Sequence, residues 1–118
     1  MRCRGIRGAT TVEENTRDAI LRGTRDLLEQ ITEANKLDVE EVSCVWFTTT
    51  PDLNAEFPAL AAREMGWTRS ALLCGHEMDV PGSLRKCIRI LILYNTEKSA
   101  DEIIHVYTNG AENLRTFN

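Results

Sequence analysis

At 118 residues with 42% hydrophobic content, the chain can bury one core and not two, so residues 1–118 are expected to form a single domain. A net charge of -4 and an isoelectric point near 5.2 argue against nucleic acid or an anionic membrane as partner, since both reward a basic face. The four cysteines are far apart with no C-x-x-C pair, and two histidines do not complete a metal-ligand pattern, so no metal is expected.

No apolar run is long enough to span a membrane, and Arg2, Arg4 and Arg7 stand near the start without the apolar core of a secretory signal. Unpaired thiols fit a reducing cytoplasm.

In chain order, residues 3–12 mix β-branched types with Gly5 and Gly8, which predicts a strand whose backbone something approaches closely. A helix is expected from about Thr16 to Asn35, with Asn15 or Thr16 as N-cap and Asp18 in its first turn. Ile20, Leu27, Leu28, Ile31 and Ala34 recur at helical spacing, and Arg17, Arg25, Glu29, Gln30 and Glu33 mark the wet side. This helix reads as scaffold. After a polar connector at 38–41, with room for a short turn, residues 42–50 (VSCVWFTTT) read as a second strand.

Pro51 to Asn54 form a break, and a short helix is expected from about Ala55 or Phe57 to Met65, with Pro58 in its first turn and Gly66 ending it. Residues 67–74 turn into a third strand, and a loop from Gly75 to Ser83 leads to a fourth strand over 87–93. A polar connector at 96–102, with one possible helical turn, precedes a last strand over 103–107. The tail, 108–118, is expected to be loose, with Leu114 and Arg115 as its docking residues.

This order gives an α+β domain, a mixed β-sheet with one face against two helices. The opposite face needs a cover; Ile88, Ile90 and Ile92 are candidates for that second apolar face, which would make the protein a symmetric oligomer.

The fourth strand carries a physical anomaly. Arg89 sits in the middle of an apolar run and shares a face with Cys87, Leu91 and Leu93, so its guanidinium either meets a bound anion or forms an internal pair with Glu77 or Asp79. Arg7, Arg63, Arg89 and Arg115 come from separate segments of an acidic protein. Their convergence would suit a small molecule with two carboxylates, because guanidinium forks match carboxylates bidentately. Cys74 and His76 share a strand face and form a possible thiol pair, with a buried inert thiol as the plainer reading. No phosphate loop or dinucleotide glycine pattern is present, so positioning and electrostatics are the chemistry this inventory serves.

The segments RGIRGATTVEENT, TPDLNAEFPALAAREMGW, CGHEMDVPGSLRKCIR and HVY, in that order, resemble the AroH-type monofunctional chorismate mutases over nearly the whole chain. The resemblance implies conversion of chorismate to prephenate, toward phenylalanine and tyrosine, without a cofactor. It further implies a homotrimeric pseudo-α/β-barrel with active sites between subunits. It makes Arg89 the contact to the ether oxygen of the breaking bond and Glu77 the acceptor for the ring hydroxyl. Arg7 and Tyr107 would bind carboxylate; Leu73, Cys74, Gly75 and His76 would line the cleft; Phe57 and Arg63 would form the facing wall; Leu114 and Arg115 would close over the substrate.

The chain departs from that pattern at Leu60, where lysine is common, at His76, where glutamine is common, and at Ile104, where arginine usually precedes HVY. These changes are expected to weaken substrate attraction. A non-catalytic trimeric module binding a small dicarboxylate is the competing reading, since the same arginines would serve it.

Overall fold

The computed structural model describes residues 1–114. The elements run β1 (Arg2–Thr11), α1 (Arg17–Asn35), β2 (Val42–Thr49), α2 (Ala59–Glu64), β3 (Ala71–His76), β4 (Cys87–Thr96) and β5 (Val106–Tyr107), with short 3-10 turns at Val39–Glu41, Ala100–Glu102 and Asn109–Ala111. The strands form one mixed sheet in the order β3-β2-β4-β1-β5. β4 pairs antiparallel with β1 and β2, while β3 and β5 run parallel to their neighbours at the two edges.

Thr16 is the N-cap of α1, its side chain accepting the Ala19 N–H at 3.1 Å. Ile20, Leu27, Leu28 and Ile31 are fully buried against one face of the sheet. Each contributes about 1.5–3 kcal/mol by leaving water, so packing more than intrinsic propensity holds this helix. The main core joins that face to Ile6, Val45, Phe47, Ile90, Ile92 and Trp67.

The two faces of β4 are therefore exchanged relative to the sequence expectation. Ile88, Ile90 and Ile92 point at the helices and are buried within the chain, whereas Arg89, Leu91 and Leu93 lie on the face opposite α1 and α2. Alternation placed these residues in the right two sets. It carries no sign for which set the helices take, because both are apolar apart from Arg89.

Other departures have local causes. α2 begins at Ala59, with Pro58 as its cap, because Asn15 reaches across and accepts the backbone N–H groups of Asn54 and Ala55, both at 3.0 Å, holding that segment as a loop. Gly66, at φ 92°, follows the last turn of α2. β3 continues through Gly75 to His76, so the following loop starts later than expected.

The last strand shrinks to two residues because the amide of Asn35 brackets Ile104, accepting its N–H at 2.8 Å and donating to its carbonyl at 2.9 Å. The first part of the tail is not loose. Ala111 is fully buried, and Thr108, Asn109 and Gly110 hydrogen-bond to Thr10 and Thr11 at the end of β1.

Gly8 explains how α1 and β5 approach β1 together. A Cβ there would stand 2.6 Å from Ile31 Cδ1 and 3.3 Å from the carbonyl oxygen of Val106. We expect Gly8→Ala to lower stability by about 1–3 kcal/mol, read as a drop in thermal midpoint; an unchanged midpoint would mean the helix has slack that the packing does not show.

Candidate active site

Register, not sequence proximity, assembles the site. Opposed residues across the sheet share a face, and one row on the face opposite the helices reads Gly75, Thr48, Arg89, Ala9, Tyr107 from β3 to β5. The next row reads Leu73, Trp46, Leu91, Arg7. Arg89 thus emerges at the middle of the sheet between two short side chains, with a tryptophan and a leucine one row away. A concavity of about 230 Å³ lies over these rows, walled by Arg7, Ala9, Trp46, Thr48, Glu77, Arg89, Leu91, Tyr107 and Leu114.

Its polar groups are unevenly satisfied. Glu77 is fixed twice: its backbone N–H donates to the Thr49 carbonyl at 2.8 Å, and its carboxylate Oε2 accepts a short hydrogen bond from Thr48 Oγ1. The same Oε2 lies 3.9 Å from Arg89 Nε, close enough for charge attraction and too far for a hydrogen bond. Among the described residues, Arg89 Nε and Tyr107 Oη are buried with no hydrogen-bond partner. Leaving such groups unmade costs about 1–3 kcal/mol each, a cost carried by two residues that line the concavity. Of the two acids considered for Arg89, Glu77 is the one in place; exposed Asp79 lies in the loop beyond it, beside a separate small hollow.

Cys87 lies behind Arg89 on the same face. Burial pushes its thiol up to about 11, with the Arg89 charge and a hydrogen bond from Arg89 only partly offsetting this. It is a neutral packing group there. Ala9, Cys87 and Ala111 form a small second core with Leu84, Tyr107 and Leu114, which brings the tail to the edge of the concavity.

The remaining expected residues lie elsewhere on the chain. Phe57, Cys74, Gly75 and His76 line a second concavity of about 350 Å³ with Thr49, Leu53 and Glu56. Arg63 acts on Cys74 from α2, while Leu73 is 56% exposed on the face opposite the helices. Arg115 lies outside the described residues. Burial pushes the Cys74 thiol up, ahead of the lowering influences of an Ala59 backbone hydrogen bond and the Arg63 charge. His76 Nδ1 lies 3.1 Å from Thr49 Oγ1 and 3.3 Å from the Thr49 carbonyl oxygen, so Thr49 is its hydrogen-bond partner. A protonated thiol and an imidazole engaged elsewhere do not make an activated nucleophile.

Thr48 and Trp46 were not singled out by the sequence. Their signal was the pairing of β2 with β4, which puts Thr48 opposite Arg89 and Trp46 opposite Leu91. Among the described residues, no three His, Cys, Asp or Glu side chains group as a metal site requires, and no helix is long and apolar enough to cross a membrane.

The arrangement is a guanidinium in the middle of the sheet, partly buried, with a carboxylate 3.9 Å away and a second arginine lining the same cavity. Comparison with known proteins bears on the family. The model of the family described as chorismate mutase type I matches residues 3–117. A Thermus thermophilus protein named chorismate mutase AroH is 50% identical over 113 residues, covering 95% of this chain and 93% of its own. A Bacillus subtilis protein of the same name is 47% identical over 116 residues, covering 98% and 91%. The solved structure of a chorismate mutase from Clostridium thermocellum superposes with a TM-score of 0.90 at 53% identity, over 92% of this chain and 96% of that one. A family match along nearly the full length, together with the shared fold, shows that this chain belongs to the type I chorismate mutases.

Proposed function

We propose that the protein converts chorismate to prephenate, and that Arg89 is the principal catalytic group. The rearrangement breaks a C–O bond while a new C–C bond forms, and negative charge grows on the departing ether oxygen. A guanidinium already fixed at that point stabilises the transition state more than the ground state. The observation that carries the reading is the buried, unpartnered Arg89 Nε in the wall of a cavity that Arg7, Glu77 and Tyr107 also line.

Glu77, anchored by Thr48, both orients Arg89 and accepts the ring hydroxyl. Arg7 and the Tyr107 hydroxyl hold carboxylate, and Leu114 stands at the edge of the cavity. The rest of the work is geometric: the substrate must be folded with its reacting carbons close, which needs shape and fixed charge and no proton transfer.

The proposed assembly is a homotrimer with sites between subunits. Two observations support it. Leu73, Trp46 and Leu91 form an apolar row 56%, 51% and 36% exposed, on the sheet face opposite the two helices. Phe57, Cys74, Gly75 and His76 also line a concavity separate from that of Arg89, so Phe57 can complete a site only as the facing wall of another subunit's cavity. A cytoplasmic location is supported by four free cysteines. Nothing in the geometry favours a non-catalytic dicarboxylate module, which would not require charge focused at Arg89.

Purified protein should consume chorismate, followed by the loss of its ultraviolet absorbance, with no added metal or nucleotide; binding without turnover would leave the module as the better reading. Arg89→Gln should lower kcat by roughly a hundredfold or more with little change in thermal midpoint. Parallel losses in kcat and stability would make the role of Arg89 structural. Trp46→Glu should give a monomer by sedimentation and lose activity with it; an active monomer would refute sites shared between subunits.

A further inference from the structure

The Arg7 backbone N–H does not meet a carbonyl of β5. It donates to the Nδ1 of His105 at 3.0 Å, while the carbonyl of Ile104 is held by Asn35. β5 is two residues long; beyond its ladder pairing of Val106 with Gly8 and Tyr107 with Ala9, the Thr108 N–H donates to the Ala9 carbonyl at 3.0 Å, on the far side of Tyr107. Tyr107 therefore sits between two clasps, and the one on the Arg7 side is a side chain.

We propose that His105 is a positioning residue: by accepting the Arg7 N–H, its imidazole locks β5 against β1 and sets the spacing across the cavity between the Arg7 guanidinium and the Tyr107 hydroxyl. The proposal rests on the reading of those two groups as carboxylate binders. It goes beyond that reading by giving a chemical role to a residue that does not line the cavity.

The geometry fixes the protonation state. An acceptor Nδ1 is unprotonated, so the ring is neutral with its proton on Nε2. Protonation would set N–H against N–H and add a cation beside Arg7. Arg7, on β1, is the charged group acting on the ring; Asn35, the α1 residue that meets this segment, is neutral; the Lys98 ammonium of the connector is bound to the Asn35 carbonyl at 2.6 Å. Burial and the Arg7 charge lower the histidine from its ordinary 6.5. The clasp is thus complete above the ordinary histidine range and is lost as pH falls below 6.5 through the depressed value in the folded protein.

Two variants and one spectroscopic measurement test this. Asparagine can present Oδ1 near the position of Nδ1 and does not titrate, whereas leucine fills space and accepts nothing. His105→Leu should raise KM by about tenfold with a smaller change in kcat, and His105→Asn should recover most of that loss. The acid-side fall in kcat/KM belonging to this ring should be present in the unmodified protein and absent from His105→Asn. Nitrogen NMR of the unmodified protein should show His105 with its proton on Nε2, and the Arg7 amide should lose exchange protection as the ring protonates. Equal kinetics for the two variants, or an Nδ1–H ring, would overturn the proposal. Because the NMR needs no substrate, a protein inert toward chorismate would refute the proposed function while the imidazole result still decides the role of His105.

Discussion

The constraint on which this architecture turns is a guanidinium planted mid-strand in the centre of a five-stranded sheet. Arg89 cannot face the helices, because that side is a dry aliphatic core built on Ile6, Phe47, Ile90 and Ile92. It must rise on the other face, where the flanking strands present Thr48 and Ala9 and so leave it room. The nearest anion, Glu77, is held off at 3.9 Å by its bond to Thr48. Had the carboxylate closed to hydrogen-bonding distance, Arg89 would be a satisfied structural pair. Held back, it is partly neutralised and still able to bind.

The same division separates the chemistry of the two faces. The helix side is filled by branched aliphatic side chains and serves stability. The opposite side carries a charged row next to an apolar row, and the tail turn packs at one end of it. On both sides of the sheet, elements far apart in the sequence are pinned by side-chain amides and hydroxyls: Asn35 around Ile104, Thr10 and Thr11 beneath the 3-10 turn, Asn15 on the loop before α2. These polar clasps fix segments too short to be held by ladder hydrogen bonds alone.

Much of this was legible in the residues. Strand and helix periods located every major element, Arg89 stood out because a charge in an apolar run demands a partner, and the family motifs carried the remaining assignments. What was not legible has one cause, that register and facing are tertiary quantities. The isoleucines of β4 could as well have lain outside, Thr48 had no mark distinguishing it from Thr49 or Thr50, and the shortening of the last strand depended on an asparagine 69 residues away. The split of Phe57, Cys74 and His76 from the Arg89 cavity likewise follows from sheet order, which no local pattern encodes.

The placement of β1 between β4 and β5 also bears on how the chain is made. Arg7 and His105 are 98 residues apart, so β1, once synthesised, has no ladder partner on either side until the late strands follow it. Through most of synthesis it is a naked, β-prone edge beside a finished helix, able to template unwanted pairing between neighbouring nascent chains. Such long-range closure slows folding, and the arginines and glycines spaced along β1 give it charge and poor stickiness during that wait.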